Sequence, residues 1–146
     1  GSADDWAAII ETNLTGTIRV TRAMLPDMVR RNTGDIVMMS SINALRIVAD
    51  MAPYSASKAG IHMMTETIRA ALAETGIRVI EVNPGLTRTN IIVTRYRGDR
   101  AQEKAYFDQF KMALDPEDIA RTIMFALQQP RHVQIAQLVV LPVNRW

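Results

Sequence analysis

The 146-residue chain carries a formal charge of +2, is 48% apolar and 5% aromatic, and has no cysteine. That is the composition of one globular domain with a sizeable core, and it excludes disulfides, thiol catalysis and cysteine-held zinc. The two histidines, His62 and His132, stand far apart, no apolar run approaches the ~20 residues that span a bilayer, and the arginines behind the isoelectric point of 9.3 are interspersed with acids rather than gathered as a nucleic-acid footprint.

Gly1 and Ser2 read as a cloning scar, so the fold is expected over 3–146. No signal-peptide pattern is visible, and a cytoplasmic setting is the expectation. From Asp4 to about Arg31 the sequence predicts a long helix. Asp4 and Asp5 suit its start, and Ile9, Ile10, Leu14, Thr17 and Met24 follow the helical period. Pro26 is expected to kink it or begin a new turn, and Asn32-Thr33-Gly34 to stop it. Asn13 falls on the buried stripe. Asp35–Ser40 is an apolar run of the kind found in parallel strands buried on both faces.

After a loop over 41–52, Pro53 suits the first turn of a second helix running to about Thr75, with Gly76 as its stop. Its small residues, among them Ala56, Ala59, Gly60, Ala70 and Ala71, permit close approach of another helix. The methionines read as core filler, and His62 as a surface or partly buried helix residue. Ile77–Val82 is a second buried strand and completes a right-handed βαβ unit. Asn83-Pro84-Gly85 then turns sharply at the strand's carboxyl end, where open α/β sheets bind ligands; a plain turn is the other reading. Arg88–Met112 is polar and irregular, with an exposed loop over Arg95–Arg100 and a short helix over Ala101–Lys111. Asp115-Pro116-Glu117-Asp118 starts a helix ending near Gln129-Pro130, and Ala136–Val143 is a third apolar strand interrupted by Pro142. Three strands and four helices in this order predict a layered α/β fold with parallel strands.

One constellation carries chemistry. Tyr54 and Lys58 are spaced i,i+4 and share a helical face. A free tyrosine titrates near ~10 and is a poor base at neutral pH. A neighbouring ammonium favours the phenolate, so the phenol can exchange a proton with an alcohol or carbonyl. Ser41, at the end of the first strand, is placed to donate a hydrogen bond to the same oxygen.

Ser41, Tyr54-x-x-x-Lys58, Asn13 within Thr12-Asn13-Leu14-Thr15-Gly16, and Asn83-Pro84-Gly85 resemble the short-chain dehydrogenase/reductase family, in order and in spacing, over nearly the whole chain. The resemblance implies the second half of a Rossmann-type doubly wound parallel sheet. It also implies hydride transfer between NADP or NAD and a small alcohol or carbonyl substrate, with Tyr54 as acid/base. Lys58 would lower the tyrosine pKa and grip the nicotinamide ribose, and Asn13 would hold a water relaying protons to Lys58. A core asparagine with ordinary hydrogen-bond partners is the alternative for Asn13. Pro84, Gly85, Thr87 and Thr89 would face the cofactor, Ser41 and Asn43 the substrate, and the region after Arg88 would form a lid. Ala44 departs from the family, which usually has glycine there.

A narrower likeness, through Tyr96-x-Gly98-Asp99, Leu114–Asp118 and His132–Val143, is to NADP-dependent 3-hydroxy acid dehydrogenases. It would make Arg95 or Arg97 a fork for a substrate carboxylate; solvated surface arginines are the other reading. The family's glycine-rich cofactor turn does not occur in this sequence. One expected partner is therefore a complementing N-terminal half; the small-residue face of the second helix and the resemblance imply another, a second copy joined through helices 4–31 and 53–75. An inactive fragment or an interaction module are the non-enzyme alternatives.

Overall fold

The computed structural model describes residues 1–110 and 112–143. Three parallel strands, β1 (Gly34–Met39), β2 (Ile77–Pro84) and β3 (Gln137–Val140), lie in the order β1-β2-β3. Gly34 stands opposite Ile77 and Met39 opposite Val82, while Glu81 to Pro84 pair with Gln137 to Val140. The central strand β2 is buried almost end to end. Ile80 and Val82 point to one face, where α6 (Pro116–Leu127) brings Ile119 and Ala126. Ile77 and Val79 point to the other and pack with Leu25, Met28, Ile68 and Leu72 of α2 (Gly16–Arg31) and α3 (Ala52–Ala71) and the end of α3. The alternation of side chains along a strand puts a helical layer on each side of the sheet. No helix among the described residues is long and apolar enough to cross a membrane.

The first helix differs from the expected straight run. α1 (Ala3–Ile10) passes into a π-helical turn at Glu11–Thr15 before α2 begins. Pro26 lies inside α2, so the irregularity falls at Asn13 rather than at the proline. π turns insert one extra residue and occur often at functional sites. Ser2 caps α1: its hydroxyl accepts the Asp5 N–H at 3.1 Å and the Asp5 carboxylate accepts the Ser2 N–H at 2.9 Å, a reciprocal cap. Asn32, left-handed at φ 50°, ends α2 as expected.

α3 stops at Ala71, short of Thr75, so Gly76 is not its terminator. Gly76 is needed for close approach: a Cβ there would lie 2.4 Å from the Asn32 carbonyl oxygen, and its N–H donates to the Asn32 side chain at 2.9 Å. Gly60 has a similar duty. A Cβ on it would meet the Leu14 side chain at 2.9 Å, so Gly60 packs within the chain against the π turn, while Ala56, Ala59, Ala70 and Ala71 of the same helix are exposed. The polar region contains one unexpected short helix, α4 (Ile91–Arg95), before α5 (Arg100–Asp108); α5 ends at Asp108, short of the expected Lys111, which itself lies outside the described residues. α6 starts as its motif predicts, with the Asp115 N–H donating to Asp118 at 2.8 Å, and β3 is shorter than the apolar run that encodes it. β1 pairs only with β2 among the described residues, and most of its residues are half-buried.

One buried charge ties the layers together. Arg78 is 4% exposed. It donates to Asp35 at 2.7 Å, to the Leu127 and Gln129 carbonyls at 2.9 Å each, and to the Val133 carbonyl at 3.3 Å. It thereby satisfies the free carbonyls at the end of α6. Its guanidinium, bonded to Asp35 and helped by Arg131 at 2.8 Å, holds the Asp35 carboxyl below its ordinary pKa against the cost of burial. Removing Arg78 as Arg78→Met leaves these acceptors without their donor and should destabilise the chain by about 3 kcal/mol in urea titrations. Because the Asp35 pKa is depressed, its contribution is fully present above the unfolded value of ~3.9 and lost as the pH falls through the folded one. The stability gap between the wild type and Asp35→Asn should therefore be widest near neutrality and close progressively in acid.

Candidate active site

Tyr54, Lys58 and His62 follow one another at intervals of four along α3 and share a face. Between them Ser57, fully buried, donates to the Tyr54 carbonyl at 2.7 Å and accepts from the Asn13 amide at 3.1 Å. The π turn thus aims Asn13 at the helical turn that joins Tyr54 to Lys58. The Asn13 carbonyl accepts the Thr17 hydroxyl at 2.6 Å. Asn13 is therefore a half-buried asparagine with a side-chain partner on α3.

The helix is pinned over the carboxyl end of β1. The Ser40 hydroxyl donates to the Lys58 carbonyl at 3.2 Å, and the Lys58 ammonium donates to the Met39 carbonyl at 2.8 Å. Ser41, buried at the strand's end, accepts the Asn43 N–H at 3.2 Å. Burial raises the Tyr54 phenol above its ordinary pKa, and a hydrogen bond with Ser41 acts in the opposite direction. Burial also lowers the Lys58 pKa. The lowering of the tyrosine by Lys58 expected from the spacing does not dominate. The ammonium stands 5.7 Å from the phenol ring centroid and is held by a main-chain carbonyl, so desolvation of the phenolate prevails.

The remaining expected residues divide. Pro84 ends β2, and the Gly85 N–H donates to the Val140 carbonyl at 2.8 Å; a Cβ on Gly85 would meet Leu141 and Pro142 at 3.0 and 3.1 Å. The turn is therefore glycine because β3 runs so close. The Thr87 hydroxyl donates to the Gly85 carbonyl at 3.1 Å. Exposed Thr89 lines an open cleft of about 480 Å³ with Arg88, Lys104 and Phe107. Arg95 donates to the Met51 sulfur at 3.1 Å and lies 5.8 and 5.9 Å from the Tyr96 and Tyr106 ring centroids, which puts it at the start of α3, a turn before Tyr54. Arg97 does not join it: exposed, with φ 52°, it pairs with Asp5 at 3.1 Å.

Sequence reasoning passed over Glu81, took Asn83 only as part of the turn motif, and gave His62 no role. Glu81 and Asn83 are fully buried in β2. One Glu81 carboxylate oxygen stands 2.8 Å from His62 Nδ1 and accepts from Gln137 at 2.8 Å. The Asn83 amide, oriented by its neighbours, donates to the Ser41 carbonyl at 2.9 Å, to the other Glu81 oxygen at 3.2 Å and to the Ser40 hydroxyl at 3.3 Å. Burial opposes ionisation of Glu81, but the bonds from His62, Gln137 and Asn83 outweigh it and leave the pKa below the usual carboxylate value. Polar and charged residues inside a largely apolar buried strand were the available signal. His62, Glu66 and Glu81 also offer ligand atoms within 4.8 Å of one another. Those atoms are already engaged, Glu66 with Arg69 at 2.5 Å and Glu81 with Gln137, so the cluster is a hydrogen-bonded one.

The chain matches the short chain dehydrogenase family model over residues 1–100 and belongs to that family. It is 33% identical over 140 residues to an uncharacterised oxidoreductase of Staphylococcus aureus, and 35% identical over 143 residues to one of Staphylococcus saprophyticus, covering 96% and 98% of this chain and 56% of each relative. Among solved structures it resembles the closed form of a serine dehydrogenase complexed with NADP+, with TM-score 0.96 and 33% identity, over all of this chain and 59% of that one. An Escherichia coli serine dehydrogenase superposes with TM-score 0.82 at 30% identity over all of this chain and 57% of that one. An actinorhodin polyketide ketoreductase with NADPH gives 0.80 at 32%, over 96% of this chain and 59% of that one. The chain spans somewhat more than half the length of the relatives it matches.

Ultraviolet titration tests the electrostatics of this site. The component lost in Tyr54→Phe should ionise above the free-tyrosine value of ~10, and Ser41→Ala should move the Tyr54 titration higher still. A Tyr54 midpoint at or below the free value would contradict the desolvation argument.

Proposed function

We propose that residues 3–146 are the C-terminal portion of a single Rossmann-fold NADP- or NAD-dependent dehydrogenase, and that they carry its acid/base machinery. The observation that supports this most is the convergence of Ser41, Tyr54 and Lys58 at the carboxyl end of β1, with Asn13 bonded to Ser57 between Tyr54 and Lys58 on α3. The donor set suits the nicotinamide-ribose end of a dinucleotide: an ammonium, a phenol and threonine hydroxyls beside a turn at the strand ends. A dinucleotide bound there supplies or accepts the hydride. In the reducing direction the Tyr54 hydroxyl gives its proton to the carbonyl oxygen; in the oxidising direction the phenolate takes the proton of the alcohol. Ser41 donates a hydrogen bond to that oxygen and fixes it against Tyr54. Lys58 meets the ribose, and Asn13 holds the water that returns the proton through Lys58.

The substrate reading is a small alcohol or carbonyl, and in particular a short 3-hydroxy acid. The serine dehydrogenases among the structural relatives support it. Of the two arginines expected to grip a carboxylate, Arg95 fits better, since Arg97 is committed to Asp5. The free side of β1 suits a complementing N-terminal half that carries the glycine-rich turn, since an unpaired edge of half-buried apolar residues invites a partner. A second copy is expected on α1, α2 and α3, which expose Trp6, Val20, Met24 and Met63 at 49, 65, 58 and 62%.

In the complete enzyme Tyr54→Phe should lower kcat by about 10² or more while fluorescence titration shows NADPH binding intact. Lys58→Ala should lose both rate and cofactor affinity. Near-normal turnover of Tyr54→Phe at saturating substrate would remove Tyr54 from the acid/base role. Arg95→Gln should raise KM for a carboxylate substrate by roughly tenfold, with little change for an uncharged ketone. Val20→Glu should lower the mass measured by light scattering; an unchanged mass would argue against the α1–α3 interface.

A further inference from the structure

We propose that Glu81 is a positioning residue for the acid/base pair: through Asn83 it holds the end of β1 so that the Ser41 hydroxyl faces Tyr54. This rests on the reading of Ser41 and Tyr54 as the reacting site. Glu81 touches neither of them.

The chain of contacts is continuous and buried. Glu81 is anchored at one end by His62 from α3 and Gln137 from β3, each at 2.8 Å. Its other oxygen receives the Asn83 amide at 3.2 Å, and the same amide reaches the Ser41 carbonyl at 2.9 Å and the Ser40 hydroxyl at 3.3 Å. Ser40 passes the constraint to the Lys58 carbonyl at 3.2 Å, so both ends of the network return to α3, at His62 and at Lys58, one turn apart. Glu81, Asn83, Ser40 and Ser41 are all buried. A carboxylate is the side chain this position asks for. It accepts at both oxygens, and three donors converge on it from α3, β2 and β3. An amide in its place must turn an NH₂ toward one of those donors, and the Asn83 amide can then swing away from the strand end. The other charged groups of the cluster are Glu66 and Arg69 on α3, which pair with each other; β2 and β3 present only neutral Asn83 and Gln137.

The prediction concerns the reaction rather than the fold. Glu81→Gln is nearly isosteric. In the complete enzyme it should lower kcat at least tenfold while KM for NADPH stays within twofold. It should also move the tyrosine limb of the kcat pH profile upward, in the direction expected for Ser41→Ala, because Ser41 is the hydrogen-bond partner that favours the phenolate. Asn83→Ala, which leaves Glu81 with His62 and Gln137, should reproduce both changes and serves where Glu81→Gln does not fold. The double variant should be no worse than the more impaired single one, since the two residues act as one link. A folded Glu81→Gln or Asn83→Ala enzyme with wild-type kcat overturns the proposal, as does a loss of activity that follows the folded fraction and leaves the pH profile in place. Tyr54→Phe run in parallel separates the two ideas. If that variant keeps its activity, the acid/base reading fails; if it is inactive while Glu81→Gln is normal, only the positioning role fails.

Discussion

The site depends first on the attachment of α3 to the end of β1. Two hydrogen bonds make it, one from the Ser40 hydroxyl to the Lys58 carbonyl and one from the Lys58 ammonium to the Met39 carbonyl. The lysine side chain and its own backbone are both engaged with the strand's last residues, so the helix cannot rotate without losing both. Tyr54, one turn earlier on the same face, is carried to Ser41 by that attachment. The π turn at Glu11–Thr15 adds a third fastening from the opposite side, through Asn13 and Ser57. Three elements distant in sequence thus converge on a single helical turn.

The central strand has a divided character that serves this arrangement. Its apolar side chains bury the sheet against helices on both faces, while its three buried polar side chains, Arg78, Glu81 and Asn83, each work at a distinct level. Arg78, at the amino end, closes the terminus of α6 and pairs with Asp35. Glu81 and Asn83, toward the carboxyl end, reach α3, β3 and the loop after β1. A buried charge is tolerated only where donors or acceptors meet it from several directions. Both charges here satisfy that condition by drawing on neighbouring elements, so stability and site geometry share the same strand.

Desolvation explains why the tyrosine and lysine drift toward their neutral forms in this chain. Each is half-buried, and the ammonium leans on a carbonyl dipole rather than on the phenolate. The Tyr54–Lys58 spacing brings the two groups onto one face, but their mutual influence is set by what else each can bind. Ser41 is the group that offsets burial at the phenol, which makes the placement of the strand end matter for the Tyr54 pKa.

Much of this was readable from the chain. Periodicity and turn chemistry marked all three strands and the principal helices, because helix caps such as Asp115-Pro116 and apolar runs such as Ile77–Val82 act locally. The spacing of Tyr54 and Lys58 carried the site, because two residues four apart on a helix share a face whatever surrounds them. What the tertiary structure decided was contact between segments. The π turn at Asn13 rather than a kink at Pro26 arises where the first helix meets Ser57 and Gly60 on α3. Gly76 and Gly60 are explained by the Asn32 carbonyl and the Leu14 side chain, which lie 44 and 46 residues away in the chain. Arg95 and Arg97 are near neighbours in sequence, yet one turns to Met51 and the other to Asp5. Glu81 is a charge within a buried strand, and only the packing of α3, β2 and β3 supplies the three donors that make it stable there. Local sequence determines conformation over a few turns; the partners of a buried polar group come from elsewhere in the chain, and only the folded structure identifies them.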